Sequence, residues 1–169
     1  FEEPSPEIMH EGQLLRTLID NVPDMIYVKD LNCRLVLVNK ATLERHGAER
    51  DDQLLGKSDP ELFGEVGYTF LEKEQELLRT GQPILNNEFS TYDRHGNPMR
   101  VLISKVPLRD AEGHVIGLLG INRNITERIH AETIIQEHQN RFSVAAENSL
   151  SAFFILESVR DDAGKIIDF

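Results

Sequence analysis

Between Tyr92 and Thr126 two short motifs recur 17 positions apart: Asp93-Arg94-His95-Gly96 and Asp110-Ala111-Glu112-Gly113, both D-x-x-G. Glycine in the last place supplies the positive φ that closes a tight hairpin. Between the motifs Met99, Val101, Ile103 and Lys105 alternate with Arg100, Leu102, Ser104 and Val106. That period of two is the mark of a strand with two different faces. A further strand pattern, Val115 to Asn122, must then fold back antiparallel. Its end is also a helix start, because Asn124 precedes Glu127 by three residues, a variant of the capping box. Whatever the sheet holds is therefore joined mechanically to an outgoing helix.

The remaining chain supplies the other strands and their cover. Residues 1–7 carry two prolines and three acids and read as an irregular lead-in, and Phe1 suggests a sequence that begins mid-protein. From Ile8 to Asn21, Leu14, Leu15, Leu18 and Ile19, with Val22 just beyond, fall on one helical face, and Pro23 stops the helix. Met25 to Lys29 is β-rich, Asp30 to Cys33 is a third turn of the same type with cysteine in the glycine slot, and Arg34 to Val38 is a second strand. Asn39 caps a short helix closed by Gly47. Ser58-Asp59-Pro60-Glu61 is a capping box with proline in the first turn. Glu65 to Leu78 reads as a longer helix ending at Gly81, and Ile84 to Tyr92 as the strand that enters the first hairpin. The order ββ, helices, βββ predicts an α+β domain: a five-stranded antiparallel sheet with short helices on one face, an N-terminal flanking helix and a C-terminal helix.

Charge and motif content narrow the function. A formal charge of −11 argues against nucleic acid, whose binding rests on neutralising phosphates. No apolar run reaches the ~20 residues that span a bilayer. The single cysteine excludes an internal disulfide and fits a reducing cytoplasm. Nucleophile-elbow, P-loop, zinc-protease and EF-hand motifs are absent, as are cyclic-dinucleotide output and kinase ATP-binding motifs, so the chain is not read as an enzyme. The acidic runs at Glu49–Asp52 and Glu72–Glu76 read as solvated helical faces.

Three stretches in this order, Tyr27–Asn39 (YVKDLNCRLVLVN), Gly56–Phe63 (GKSDPELF) and Lys105–Thr126 (KVPLRDAEGHVIGLLGINRNIT), resemble the PAS (Per-Arnt-Sim) family over roughly Leu14 to Glu127. The last is similar to the D-[IV]-T ending through which PAS domains join output helices, with Asn124 in place of the acid. The resemblance implies a sensor fold that serves many functions, with 14–124 as the domain and 1–13 as lead-in and start of the flanking helix. Residues 125–148 are expected to form a connecting helix: Ala131, Ile135, His138, Phe142 and Ala145 keep heptad spacing, which suits either a short coiled coil or packing on the domain. Residues 149–169 repeat the pattern that starts at Asn21, pairing Ile26 with Phe153 and Val28 with Ile155, and are read as the start of a second PAS domain in a tandem-PAS bacterial signalling protein.

Within that resemblance flavin and haem are disfavoured. The LNCRLV stretch is superficially like the photoreactive cysteine motif of LOV domains, but Cys33 lies in a hairpin turn and the matching place is Gly56–Pro60. The long helix contains no histidine to ligate haem; His46, His95 and His114 are read as surface or partly buried, and tryptophan is absent. PAS ligand-facing parity puts Tyr27, Lys29, Phe89, Thr91, Val101, Ile103, Lys105, Leu118, Gly120 and Asn122 on the inner face of the sheet, around a small-molecule pocket. Asn122 falls where LOV domains place the glutamine that reads the flavin. Two inner lysines with no acid on the strands suit an anionic ligand, or else pairing with Asp59 or Glu61. Arg123 has outward parity, toward the N-terminal helix or a second subunit. No inner-face histidine, cysteine or acid pair supports catalysis. The expected function is a cytoplasmic sensor, homodimeric through its flanking helices. It would pass ligand occupancy through Asn124, Ile125, Thr126 and Glu127 to a diguanylate cyclase/phosphodiesterase or histidine kinase. The competing reading is a ligand-free dimerisation or relay module.

Overall fold

In the computed structural model, which describes residues 6–157, the elements run α1 (Pro6–Asp20), β1 (Met25–Lys29), β2 (Leu35–Val38), α2 (Lys40–His46), a 3-10 turn (Asp51–Gln53), α3 (Asp59–Phe63), α4 (Glu65–Thr80), β3 (Ile84–Tyr92), β4 (Pro98–Arg109), β5 (Val115–Asn124) and α5 (Thr126–Glu157). The strands form one antiparallel sheet in the order β2-β1-β5-β4-β3, so the last strand in sequence is the middle one in space. Two hairpin systems, β1–β2 and β3–β4–β5, are joined by pairing β1 with β5. The expected α+β architecture is the one observed.

The three D-x-x-G-type turns are built alike. In each, the aspartate N–H donates to the carbonyl four residues on, and the residue in the fourth place donates back to the aspartate carbonyl. That fourth residue has φ of 57° at Cys33, 83° at Gly96 and 88° at Gly113. The aspartate Oδ1 accepts further N–H groups, from Asn32 and Arg34, from His95 and Asn97, and from His114. Cys33 takes a conformation glycine prefers, its side chain is wholly buried, and burial pushes its thiol pKa up to about 11.

The core lies between the sheet and the helices that cover one face: Tyr27, Leu35, Val38, Leu43, Leu54, Leu77 and Leu118 pack together. Asn39 ties the N-terminal parts to it. Its Oδ1 accepts from Ile26 N, Thr42 N and Thr42 Oγ1, and its Nδ2 donates to the carbonyls of Ile19 and Asp24. One fully buried amide thus joins the end of α1, the start of β1 and the first turn of α2. Arg123 pairs with Asp24, in the link after α1, rather than with the helix itself.

Several boundaries differ from expectation. The long helix α4 runs to Thr80 before Gly81 caps it at φ 67°. Asn124 does not form the expected capping box. It is still the last residue of β5, paired with Val101, and its Oδ1 accepts from Thr126 N and Oγ1 in a tighter turn. Thr126 Oγ1 in turn accepts from Arg100 N. The chain separates into two units after Thr126. In the second, α5 continues to Glu157, so Phe153 and Ile155 are helical where the repeat predicts a strand. A strand needs neighbours to satisfy its ladder groups, whereas a helix satisfies its own. Residues 158–169, which carry the rest of that repeat, lie outside the described residues.

Candidate ligand site

Ladder register places the inner-face residues in rows. Tyr27 pairs with Gly120, which pairs with Lys105. Met25, Asn122 and Ile103 form the next row. Val101 and Phe89, then Met99 and Thr91, continue it onto β3 and β4. Gly120 has no side chain for a reason of space: a Cβ there would lie 2.2 Å from Cζ of Tyr27, whose ring lies across it.

Four charged side chains close one end of this face. Lys29 Nζ donates to Asp59 Oδ1 at 2.6 Å and to both Glu74 oxygens at 2.8 and 2.7 Å. Lys105 Nζ donates to Glu74 Oε1 at 2.5 Å. Glu74 is fully buried, Lys29 is 1% exposed, and Asp59 and Lys105 are buried as well. The pairing of Lys29 with Asp59 was one of the sequence alternatives; Glu61 instead bonds Ser58 and Arg34 at the surface. Glu74 corrects the reading of Glu72–Glu76 as a solvated run. It lies on the α4 face that also carries Gly67 and Leu77, both buried. A Cβ on Gly67 would come within 2.3 Å of the Asp59 carbonyl oxygen, so this glycine lets α4 approach α3 and deliver Glu74 to the lysines. The helices therefore provide the inner acid pair that the strands lack, and the expectation that none is present is also corrected.

Next to this quartet is a cavity of about 100 Å³. Tyr27, Lys29, Phe89, Thr91, Val101, Ile103, Lys105 and Asn122 all line it; Leu118 and Gly120 do not, Leu118 being wholly buried in the core. The helices add residues that strand parity could not find, among them Thr42, Arg45, His46, Asp59, Phe63 and Phe70. A string of rings forms one wall: His46 lies 5.3 Å from Phe63, and Phe63 to Phe70 and Phe70 to Phe89 meet edge-on at 5.9 and 5.4 Å. Burial, helped by Arg45, lowers the His46 pKa below its ordinary value, so the ring is neutral. Burial, reinforced by Glu74, raises the Tyr27 pKa, so the phenol keeps its proton. Asn122 Oδ1 is the one buried side-chain polar atom among the described residues with no hydrogen-bond partner. No group of three His, Cys, Asp or Glu among the described residues is placed to hold a metal ion. His95 and His114 stand at the turns, away from the cavity lining.

Residues 19–130 match the family model for the PAS fold. The chain belongs to the PAS family. Among curated proteins this PAS domain is similar to the methanogenesis regulatory histidine kinase FilI of Methanothrix harundinacea, 35% identical over 152 residues, which are 89% of this chain and 17% of that protein. It is also similar to the virulence sensor protein BvgS of Bordetella pertussis, 32% identical over 85% of this chain and 12% of that protein. The chain thus spans less than a fifth of the length of these relatives. Of solved structures, the PAS domain of Bordetella pertussis BvgS is 30% identical with a TM-score of 0.57, covering 79% of this chain and 97% of that one. The VqmA dimer of Vibrio cholerae shares the fold, with a TM-score of 0.61 at 22% identity over 70% of this chain and 52% of that one. The domain is a PAS sensory module similar to those of histidine-kinase-type sensors. No helix among the described residues is long and apolar enough to cross a membrane.

Proposed function

We propose that this PAS domain binds a small molecule in the cavity beside Asn122 and relays occupancy along β5 to α5. The observation that carries the reading is Asn122 Oδ1, buried without a partner. Leaving such an acceptor unmet costs about 1–3 kcal/mol, which a ligand donor recovers. Asn122 is two residues from Asn124, whose side chain holds the first residue of α5, so a shift at the cavity reaches Asn124, Ile125, Thr126 and Glu127 directly. The ligand must favour one arrangement of β5 over another, because equal affinity for both moves nothing.

The anionic ligand suggested by two inner lysines loses its basis, since Asp59 and Glu74 already neutralise them. The output this reading favours is a histidine kinase, in keeping with the relatives, with a cyclic-dinucleotide enzyme as the other candidate. It takes the working state to be a cytoplasmic homodimer: Leu14, Leu15 and Leu18 of α1, and Ile135 and Phe142 of α5, are apolar and exposed in the single chain. The self-neutralised quartet favours a second reading, a ligand-free relay. Native mass spectrometry of freshly purified protein against its denatured mass separates the two. The proposal expects extra mass that is lost on denaturation, in a species of two chains. A bare mass in every preparation, including after incubation with cell extract, supports the relay and refutes the ligand.

A further inference from the structure

Building on the ligand-site reading above, we infer that the bound molecule is a carboxylate with an apolar head: the head fills the cavity and the carboxylate pairs with Arg45 at its mouth. The cavity adjoins an outer groove of about 310 Å³, and Met25, Arg45, Met99 and Asn122 line both. Those four therefore mark the passage from the cavity to the open groove. Arg45 reaches the passage from the last turn of α2 and is half-buried there. Its Nη2 donates to the carbonyl of Tyr92, the last residue of β3, at 2.6 Å. Among the described residues that neutral carbonyl is the one acceptor for a group with five donors, and no carboxylate forms a salt bridge with it.

The acids of the groove are engaged elsewhere. Asp93 spends its oxygens on its own turn, accepting from His95 N, Asn97 N and Asn97 Nδ2, and Glu44 pairs with Lys40 at 3.8 Å. What the mouth has to spare is donors, and a carboxylate is the acceptor that fits them. Its two oxygens match the guanidinium fork, and it brings the opposite charge that the Tyr92 carbonyl lacks. The bond to Tyr92 already holds Arg45 in place, so little side-chain freedom is lost when a ligand takes over. Deeper in, Asp59 and Glu74 already neutralise the lysines, and Phe63, Phe70 and Phe89 form an apolar wall suited to the head. Asn124, whose side chain holds the first residue of α5, also lines the groove, so the tail of the ligand lies beside the relay.

The test is a set of NMR titrations of the ¹⁵N-labelled chain with phenylacetate, 3-phenylpropionate and 4-phenylbutyrate, with the amide of each, and with acetate. The expected result is that at least one of the three acids shifts cavity residues, moves the Arg45 Nε–H signal and binds at least about tenfold tighter than its own amide. Acetate, which has no head, should bind at least about tenfold more weakly than that acid. In Arg45→Gln, whose amide can still donate to the Tyr92 carbonyl, acid and amide should become equal. If the amides match the acids at cavity residues, the ligand-site reading stands and this inference falls alone. It also falls alone if acetate matches the acids, or if the preference for the acid survives Arg45→Gln. If no probe shifts any cavity residue, the ligand-site reading falls and takes this inference with it. The amide comparison and the Arg45 signal need no variant, so the test holds even if Arg45→Gln misfolds.

Discussion

Replacing Glu74 by Gln keeps the shape of the side chain and removes one charge from the buried quartet. Three hydrogen bonds from two ammonium groups end on its carboxylate, and none of that carboxylate is exposed. After the change Lys29 and Lys105 share only Asp59, leaving one positive charge buried without compensation. Removing one member of a buried ion pair costs about 3–5 kcal/mol. For a domain of this size each kcal/mol moves the melting point by about 4 °C, so Glu74→Gln should melt roughly 12–20 °C below the parent. Adding Lys105→Met removes one charge of each sign and leaves the Lys29–Asp59 pair balanced. The double variant should therefore recover stability over Glu74→Gln alone, with a coupling of about 2 kcal/mol in the cycle. Urea unfolding at neutral pH, followed by circular dichroism, gives both numbers. Repeating it at high salt should leave the gap in place, because buried charges are poorly screened. A Glu74→Gln protein within about 1 kcal/mol of the parent, or a strictly additive cycle, would falsify the claim that these charges are balanced inside the fold.

Three further outcomes follow from single contacts. The pKa of His46 is lowered by burial, so the unfolded chain takes up the proton first as pH falls. The stability gained by keeping the ring neutral is complete above its ordinary value of 6.5 and is lost as pH drops from there through the lowered folded value. The difference in urea midpoint between the parent and His46→Gln should change with pH in that window and be flat above it; a constant difference refutes the assignment. Gly120→Ala should cost about 1–3 kcal/mol by driving the Tyr27 ring out of its place, and less than half of that in a Tyr27→Ala background. An equal cost in both backgrounds excludes the ring as the cause. Asn39→Ala should cost about 3 kcal/mol or more and raise hydrogen exchange at Asn21 and Val22, since the buried amide bonds both sides of that link; unchanged exchange there shows that Asn39 does not hold α1.

Much of the fold was legible because its signals are local. A D-x-x-G turn contains its own hydrogen-bond partners, so Asp93–Gly96 and Asp110–Gly113 announce two hairpins without reference to anything else. The same rule found Cys33 in a glycine position, and its φ of 57° agrees. The inner-face parity taken from the family resemblance found eight of the eighteen residues that line the cavity, all of them on strands, because alternation fixes the rest of a strand once one residue is placed. Asn39 was legible only as a cap. Its bonds to Ile19 and Asp24 depend on the chain reversing between α1 and β1, and no spacing in the sequence reports that. The capping box expected at Asn124 did not form because β5 reaches two residues past the expected end at Asn122, and Asn124 Oδ1 is taken by Thr126 N and Oγ1 in a tighter turn.

Glu74 shows where composition misleads and periodicity does not. In the run Glu72-Lys73-Glu74-Gln75-Glu76 it looks like one acid among several, and five polar residues in a row suggest solvent. On the helix, however, Gly67, Phe70, Glu74 and Leu77 are spaced by three, four and three, which is a single stripe, and that stripe faces the sheet. Two lysines on the inner parity of the strands also required acids from somewhere, and a helix packed over the sheet was the only element able to supply them. The sequence taken strand by strand leaves those lysines positive and suggests an anion. The sequence folded places Glu74 and Asp59 against them and neutralises that end of the cavity, leaving the Asn122 Oδ1 acceptor unmet. The charge of the cavity therefore follows from which groups are already paired, a property of the helix phase of α4 and not of the number of lysines.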